Sequence, residues 1–344
     1  MSSLQVGLAI AGGLVLAAVV AHGAWTSRRS QPRQADPSDP VAEPERVEPG
    51  EGIEPRFDPQ DDALTIPAPE KKPLMDPLID VIAPITLEGP VSGDAVLAAL
   101  PATRRVGSKA FAVEGQSEHD GEWEPPEPGR RYSALQAGIQ LANRSGPLNE
   151  IEYSEFVVTA QAFADALGGT PEFPEMLDEV ARARELDQFA STHDAQLGVT
   201  LRARNAAWSP GYVHQCAARL GFVPGVLPGR MVLPAPTAGL PPLLGLSFDS
   251  QAALSDDLDQ SALREVTLSL DVAQVDRHEQ PFARMRAAAM ALAETMDGVV
   301  TDDVGHALGG ETLDQIGIEL EQLYDTLDAR DLSAGSVLAR RLFS

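Results

Sequence analysis

From Leu4 to Trp25 the chain carries no Asp, Glu, Lys or Arg, and Leu, Val, Ile, Ala and Gly dominate. About 20 such residues cross a bilayer core as a helix, so residues 1–26 are expected to form a transmembrane anchor. The rival reading is a cleaved secretory signal, with Ala21 and Gly23 as a small-residue cleavage site. Against it, no basic residue precedes the apolar run, and Arg28, Arg29 and Arg33 follow it. The positive-inside rule then places the N-terminus on the outer, periplasmic side and everything beyond Trp25 in the cytoplasm. Ala9, Gly13, Ala17 and Ala21 recur every fourth residue. That ridge of small side chains offers a face for a homodimer through the span, although Ala and Gly are common in such helices anyway.

Residues 27–73 read as a disordered, acidic, Pro-rich linker. Prolines from Pro32 to Pro69 interrupt any helix, and large apolar side chains are few. A stretch like this cannot bury enough surface to offset its ordering entropy. Its expected role is reach, on the order of 100 Å if it is largely polyproline-like at about 3.1 Å per residue. The whole chain has 26 basic against 51 acidic residues, a net charge of -25. Such a balance disfavours nucleic acid as a partner and leaves no basic patch for phosphate. With Cys216 the only cysteine, there is no internal disulfide and no thiolate cluster.

From Leu74 onward strand-like and helix-like segments alternate, separated by Gly and Pro. In the later half, 197–201 reads as a strand. Ser209 and Pro210 form an N-cap and a first helical position, and Gly221 stops the helix. Strands follow at 230–233, 243–248 and 265–272. The last alternates, with Val266, Leu268, Leu270 and Val272 on one face and Thr267, Ser269 and Asp271 on the other. A helix from Gln280–Pro281 carries Phe282, Met285, Ala289, Leu292 and Met296 on one stripe and ends at Gly298. After a short strand at 299–301, the final helix places Leu313, Ile316, Leu320, Leu323 and Leu327 on a core stripe. The earlier half repeats this grammar: strand 78–87, helix 92–100, strands 109–114 and 132–142, helix 153–167. The fold class is therefore α+β, an antiparallel sheet with helices on one face of the split β-α-β type, duplicated as 74–175 and 176–344.

Chemistry finds little to stand on. Asp302, Asp303 and His306 have the residue types of a hard-cation site, yet they are ordinary turn formers after a short strand. His193–Asp194 has the types of a base and its orienter, without a nucleophile signature. The glycines of 221–229 are interleaved with Pro224 and Pro228, and no phosphate-loop lysine follows. The expectation is a non-enzymatic protein with no catalytic, cofactor-binding or metal-binding residues and no cofactor. Trp123 and Trp208 sit in loop-like surroundings, as interface anchors or as lids on the core edge.

The order of features is similar to that of the ZipA family of bacterial cell-division proteins: a short uncharged N-terminus, an anchor, a Pro-rich acidic tether and a cytoplasmic α+β domain. Local motifs over 196–327 add to it, namely Ser209-Pro-Gly before the first helix, Leu220-Gly-Phe222 at its end, and Met296-Asp-Gly-Val-Val-Thr-Asp-Asp303 before the last helix. The resemblance implies an inner-membrane adaptor at the septum, part of the divisome. It would bind the C-terminal tail of the tubulin-like GTPase FtsZ in an apolar groove on the open face of its sheet. The alternative is a membrane-anchored cytoplasmic scaffold for another envelope or division protein. This chain departs from the family in a folded region about twice the usual length, and in Thr267, Ser269 and Asp271 where a greasy groove floor is expected. Strand 230–233 is apolar on both faces and 243–248 nearly so. The expected partner-binding residues are thus Met231, Val232, Leu233, Leu244, Leu246 and Phe248. The fallback is the earlier repeat around Ala137, Ile139 and Leu141.

Overall fold

The computed structural model describes residues 32–34, 75–254 and 261–344. The expected span lies outside the described residues, as does all of the expected linker except Pro32–Gln34. Among the described residues, no helix is long and apolar enough to cross a membrane. The chain packs as two compact units. The first comprises Glu51–Asp194 with Leu323–Ser344, and the second Met1–Gly50 with Ala195–Gln322.

In the first unit the elements run β1 (Asp80–Leu87), α1 (Gly93–Ala99), β2 (Lys109–Ser117), β3 (Arg131–Gln140), α2 (Glu150–Asp165), β4 (Gly169–Pro171) and α3 (Met176–His193). The sheet order is β2-β3-β1-β4, with all neighbours antiparallel and the short strand Arg105–Val106 outside β2. β1 and β2 therefore run parallel with β3 between them, the split β-α-β arrangement. Ser92 caps α1 through the Ala95 N–H, and Asn149 with Glu152 forms a full capping box at α2. Val81, Ala83, Leu135, Ala137 and Ile139 are buried on the face that packs against Phe156, Ala160 and Phe163 of α2. Phe111 meets Phe156 with ring centroids 6.2 Å apart.

The sequence places a domain start at 176, whereas the break between the units falls between Asp194 and Ala195. The reason is α3, whose buried stripe of Val180, Ala183, Leu186 and Phe189 belongs to the first unit. Residues 323–344 lie in that unit as well, where helix α7 (Val337–Leu342) buries Ala339 and Leu342 and is followed by buried Phe343.

The second unit runs β5 (Gln196–Ala203), α4 (Pro210–Ala218), β6 (Arg230–Leu233), β7 (Leu244–Ser247), β8 (Glu265–Asp271), α5 (Pro281–Met296), β9 (Gly298–Thr301) and α6 (Gly310–Asp328). The sheet order is β6-β7-β8-β5-β9, again antiparallel throughout, with the short strand Val223–Pro224 outside β6. It reproduces the first unit's order, with β7, β8, β5 and β9 in the places of β2, β3, β1 and β4. Along β8 the expected alternation holds: Val266, Leu268 and Leu270 are buried, while Thr267, Ser269 and Asp271 face the other way. Met285, Ala289, Leu292 and Met296 of α5 are buried with them. Each such Leu or Met contributes roughly 1.5–3 kcal/mol over leaving it in water.

α5 ends one residue earlier than its glycine suggests. Asp297 takes the left-handed cap at φ 55°, and Gly298 already belongs to β9. Gly298 instead leaves room for Trp208, since a Cβ there would lie 3.3 Å from its ring and crowd it.

Candidate functional site

Trp208 is fully buried, and its indole N–H donates to the Met296 carbonyl at 2.7 Å. It is part of the core of the second unit and no surface anchor. Arg33, from the segment expected to be linker, lies alongside it in a parallel bridge. The Arg33 N–H donates to the Ala207 carbonyl at 2.7 Å, the Ser209 N–H donates to the Arg33 carbonyl at 2.8 Å, and the guanidinium reaches Asp297 at 3.4 Å. Both ends of this contact are inside the second unit.

The catalytic types noted in the sequence have structural employment. His306 and Asp302 close the turn after β9, with the His306 N–H donating to Asp302 at 2.7 Å and the ring Nδ1 3.2 Å from its other oxygen. Among the described residues no cluster of His, Cys, Asp and Glu is arranged to hold a metal ion. His193 stacks on Phe189 at 4.3 Å, while Asp194 receives a forked pair of bonds from Arg144 at 2.6 and 2.8 Å. They do not act on each other. Burial pushes the Cys216 thiol up, away from a reactive thiolate.

One face of the second unit's sheet is packed with helices, and the other carries a polar surface whose rows follow from the strand register. Arg230 stands opposite Ser247, Ser247 opposite Thr267, Thr267 opposite Thr200, and Thr200 opposite Thr301. The next row is Val232, Gly245, Ser269 and Gly198. Thr200 and Thr267 bring their hydroxyls to 3.3 Å, and the Thr301 hydroxyl donates to the Thr200 carbonyl at 3.1 Å. Ser269 leans over Gly245, where a Cβ would meet its hydroxyl at 2.5 Å. At the outer-strand end the face opens into a cleft of about 560 Å³, lined among others by Pro228, Arg230, Ser247, Ser250, Arg264 and Thr267.

Four of the six residues expected to meet a partner, Met231, Leu233, Leu244 and Leu246, lie on the side away from this surface, while Phe248 lines the cleft. Met231, Leu244 and Leu246 are 2%, 1% and 1% exposed and form core, Met231 and Leu246 in one register row with buried Leu268. Leu233 pairs with Leu244 on that side and is half-buried. Phe248, also half-buried, meets His214 of α4 edge-on at 5.6 Å. Val232 alone points to the polar face, half-buried beside Gly245. The fallback residues Ala137, Ile139 and Leu141 are all buried core of the first unit. Sequence reasoning passed over Arg230, Ser247 and Arg264. The available signal was the strand period itself, since Arg230 and Val232 share a face, as do Ser247 and Gly245.

A family model described as "ZipA, C-terminal FtsZ-binding domain" matches residues 252–318, the stretch that holds β8, α5, β9 and the start of α6. Residues 252–318 are thus similar to part of the ZipA C-terminal domain. No curated protein matches the chain. Among solved structures, berberine bridge enzyme from Eschscholzia californica aligns at 10% identity over 77% of this chain, which spans 55% of that one, with a TM-score of 0.17. A likeness that slight carries no argument. The ZipA match is narrower than the resemblance seen in the sequence, which began at 196, and it falls wholly within the second unit.

Proposed function

We propose that this chain is a non-enzymatic cell-division adaptor that ties the FtsZ ring to the cytoplasmic face of the inner membrane. The observation that carries the proposal is the ZipA-family match across β8, α5 and β9. Those elements build the sheet whose second face is lined by solvent-accessible side chains. The N-terminal anchor, with its basic residues on the inner side, supplies the membrane attachment. The FtsZ C-terminal tail lies across the polar face of the second unit as an extended or helical segment, held by the outer strands. The first unit, with the same element order and sheet order, is a duplicated copy of this fold. A pull-down of the full-length chain from detergent extract, with FtsZ and with FtsZ lacking its tail, tests the reading. Retention of FtsZ only when the tail is present is the expected result. Equal retention of both forms, or of neither, removes the tail from the proposal.

A further inference from the structure

Charge is spread unevenly over this chain. It holds 51 acidic residues, yet none lies between Asn205 and Phe248, the stretch that builds α4, β6, β7 and their loops. The only Lys or Arg residues there are Arg219 and Arg230. Arg230 begins β6 on the polar face, Arg264 directly precedes β8, and both are exposed and line the cleft together with the hydroxyl residues Ser247, Ser250 and Thr267. Among the described residues neither guanidinium is held in an ion pair. The two carboxylates in the cleft wall are engaged elsewhere: Glu265 pairs with Arg202 at 3.6 Å, and Asp249 accepts the Gln251 N–H at 2.9 Å. Close by, the hairpin leading into β6 leaves Val226 and Leu227 exposed at its tip.

A molecule of net charge -25 repels acidic partners over most of its surface. The acid-free stretch leaves Arg230 without an acidic neighbour in its own segment, and the exposed guanidinium of Arg264 lines the same cleft. Arginine is the side chain whose planar donors match a carboxylate in two parallel bonds. We propose that Arg230 and Arg264 are the specificity-determining residues of the polar face, gripping carboxylate side chains of an acidic peptide whose apolar residues rest near the hairpin tip. This inference rests on reading that face as the tail-binding face, and it names the chemistry the face selects.

The full-length chain in detergent is titrated by fluorescence anisotropy with three labelled probes: the FtsZ tail peptide, a short peptide of alternating Glu and Leu, and its counterpart with Gln for Glu. The parent should bind the Glu peptide about tenfold tighter than the Gln peptide, with an affinity that falls as salt rises. Arg230→Glu with Arg264→Glu should abolish that preference while circular dichroism is unchanged. The paired Lys substitutions should retain the salt dependence and lose part of the affinity. Equal binding of the Glu and Gln peptides, or of the Glu peptide by parent and charge-reversed protein, overturns the inference whatever the tail does. If the Glu peptide behaves as expected and the tail does not bind, the arginines stand and the FtsZ reading of this face falls.

Discussion

The two units share one sheet order and treat the second face of that sheet in opposite ways. In the first unit that face receives chain of its own. Met75 lies over Gly138, so close that a Cβ there would strike its sulfur, and the Met75 N–H donates to Glu114 at 2.5 Å. Arg341, near the end of the chain, reaches Asp80 at 2.6 Å, and Gln140 donates to the Arg341 carbonyl at 2.7 Å. Asp80, Glu114 and Gln140 are consequently buried, each with a partner. In the second unit the corresponding face keeps Thr267, Ser269 and Arg230 at least partly in solvent. Polar residues on a sheet face mean two different things here. They are the inner layer of a closed network in one unit, and a surface that can take a partner in the other.

The largest effect that separates the two faces of the second unit is expected at Leu246. A carboxylate there has no partner and no route to water, so Leu246→Glu should cost more than about 4 kcal/mol and leave the second unit unfolded by circular dichroism. A well-folded Leu246→Glu protein would mean that the helices do not seal that side of the sheet.

Next in size is the closed network of the first unit. Removing Arg341 strands the Asp80 carboxylate in a dry site, and breaking a buried pair from one side costs about 3–5 kcal/mol when both members are sealed. Arg341 is one-fifth exposed, so the lower end applies, about 3 kcal/mol for Arg341→Ala. Pairing it with Asp80→Asn should restore much of the loss, because a neutral amide is cheaper to leave there than a charge. Additive losses in a double-mutant cycle would show that the two side chains do not support each other.

A smaller, pH-dependent effect belongs to Glu114. Burial pushes its carboxyl above the ordinary range, against hydrogen bonds from the Met75 N–H and Gln136 that favour the ionised form. Asp80 is likewise raised by burial, with Arg341 opposing. A folded-state pKa above the unfolded one means that the stabilising contribution is complete below the ordinary carboxylate range and fades as pH rises through the raised value. Glu152 in the same unit runs the other way. Burial raises it, but bonds from Ser108 outweigh that and hold it low. The difference between parent and Glu114→Gln therefore isolates one group, and the variant should gain in relative melting temperature between mildly acidic and neutral pH. A constant difference across that range would mean that Glu114 titrates normally.

How much of this was legible beforehand follows from which forces each feature rests on. The strands, the Ser209–Pro210 helix start and the β8 alternation came from local signals, caps and period, and those survive in the folded chain. The fate of a second sheet face does not. Met231 and Leu246 looked available because short strands that are apolar on both sides give no local clue to which side the helices take. Helix α3 is hard to read from the sequence because its buried stripe includes the charged Glu179 and runs through a segment of net polar character. The contacts of Met75, Arg341 and Arg33 join residues distant in sequence, and nothing in a window of ten or twenty residues announces them.

The smallest expected effect is the one that decides whether the comparison is right. Val232 and Met231 are neighbours in one strand and, by the pleat, look in opposite directions. Met231 shares its row with Leu246 and Leu268, whereas Val232 shares its row with Gly245 and Ser269. If the polar face is open, a glutamate at 232 keeps its charge in water and loses only part of a valine contact, so Val232→Glu should shift stability by no more than about 0.5 kcal/mol. Peptide binding should fall in the same protein, because the new carboxylate sits in the strand that begins at Arg230 and repels the acidic ligand that Arg230 attracts. Thermal melting and anisotropy on a single sample measure both. Should Val232→Glu melt as low as Leu246→Glu, the second face of this sheet is covered like that of the first unit, and the difference between the two units disappears.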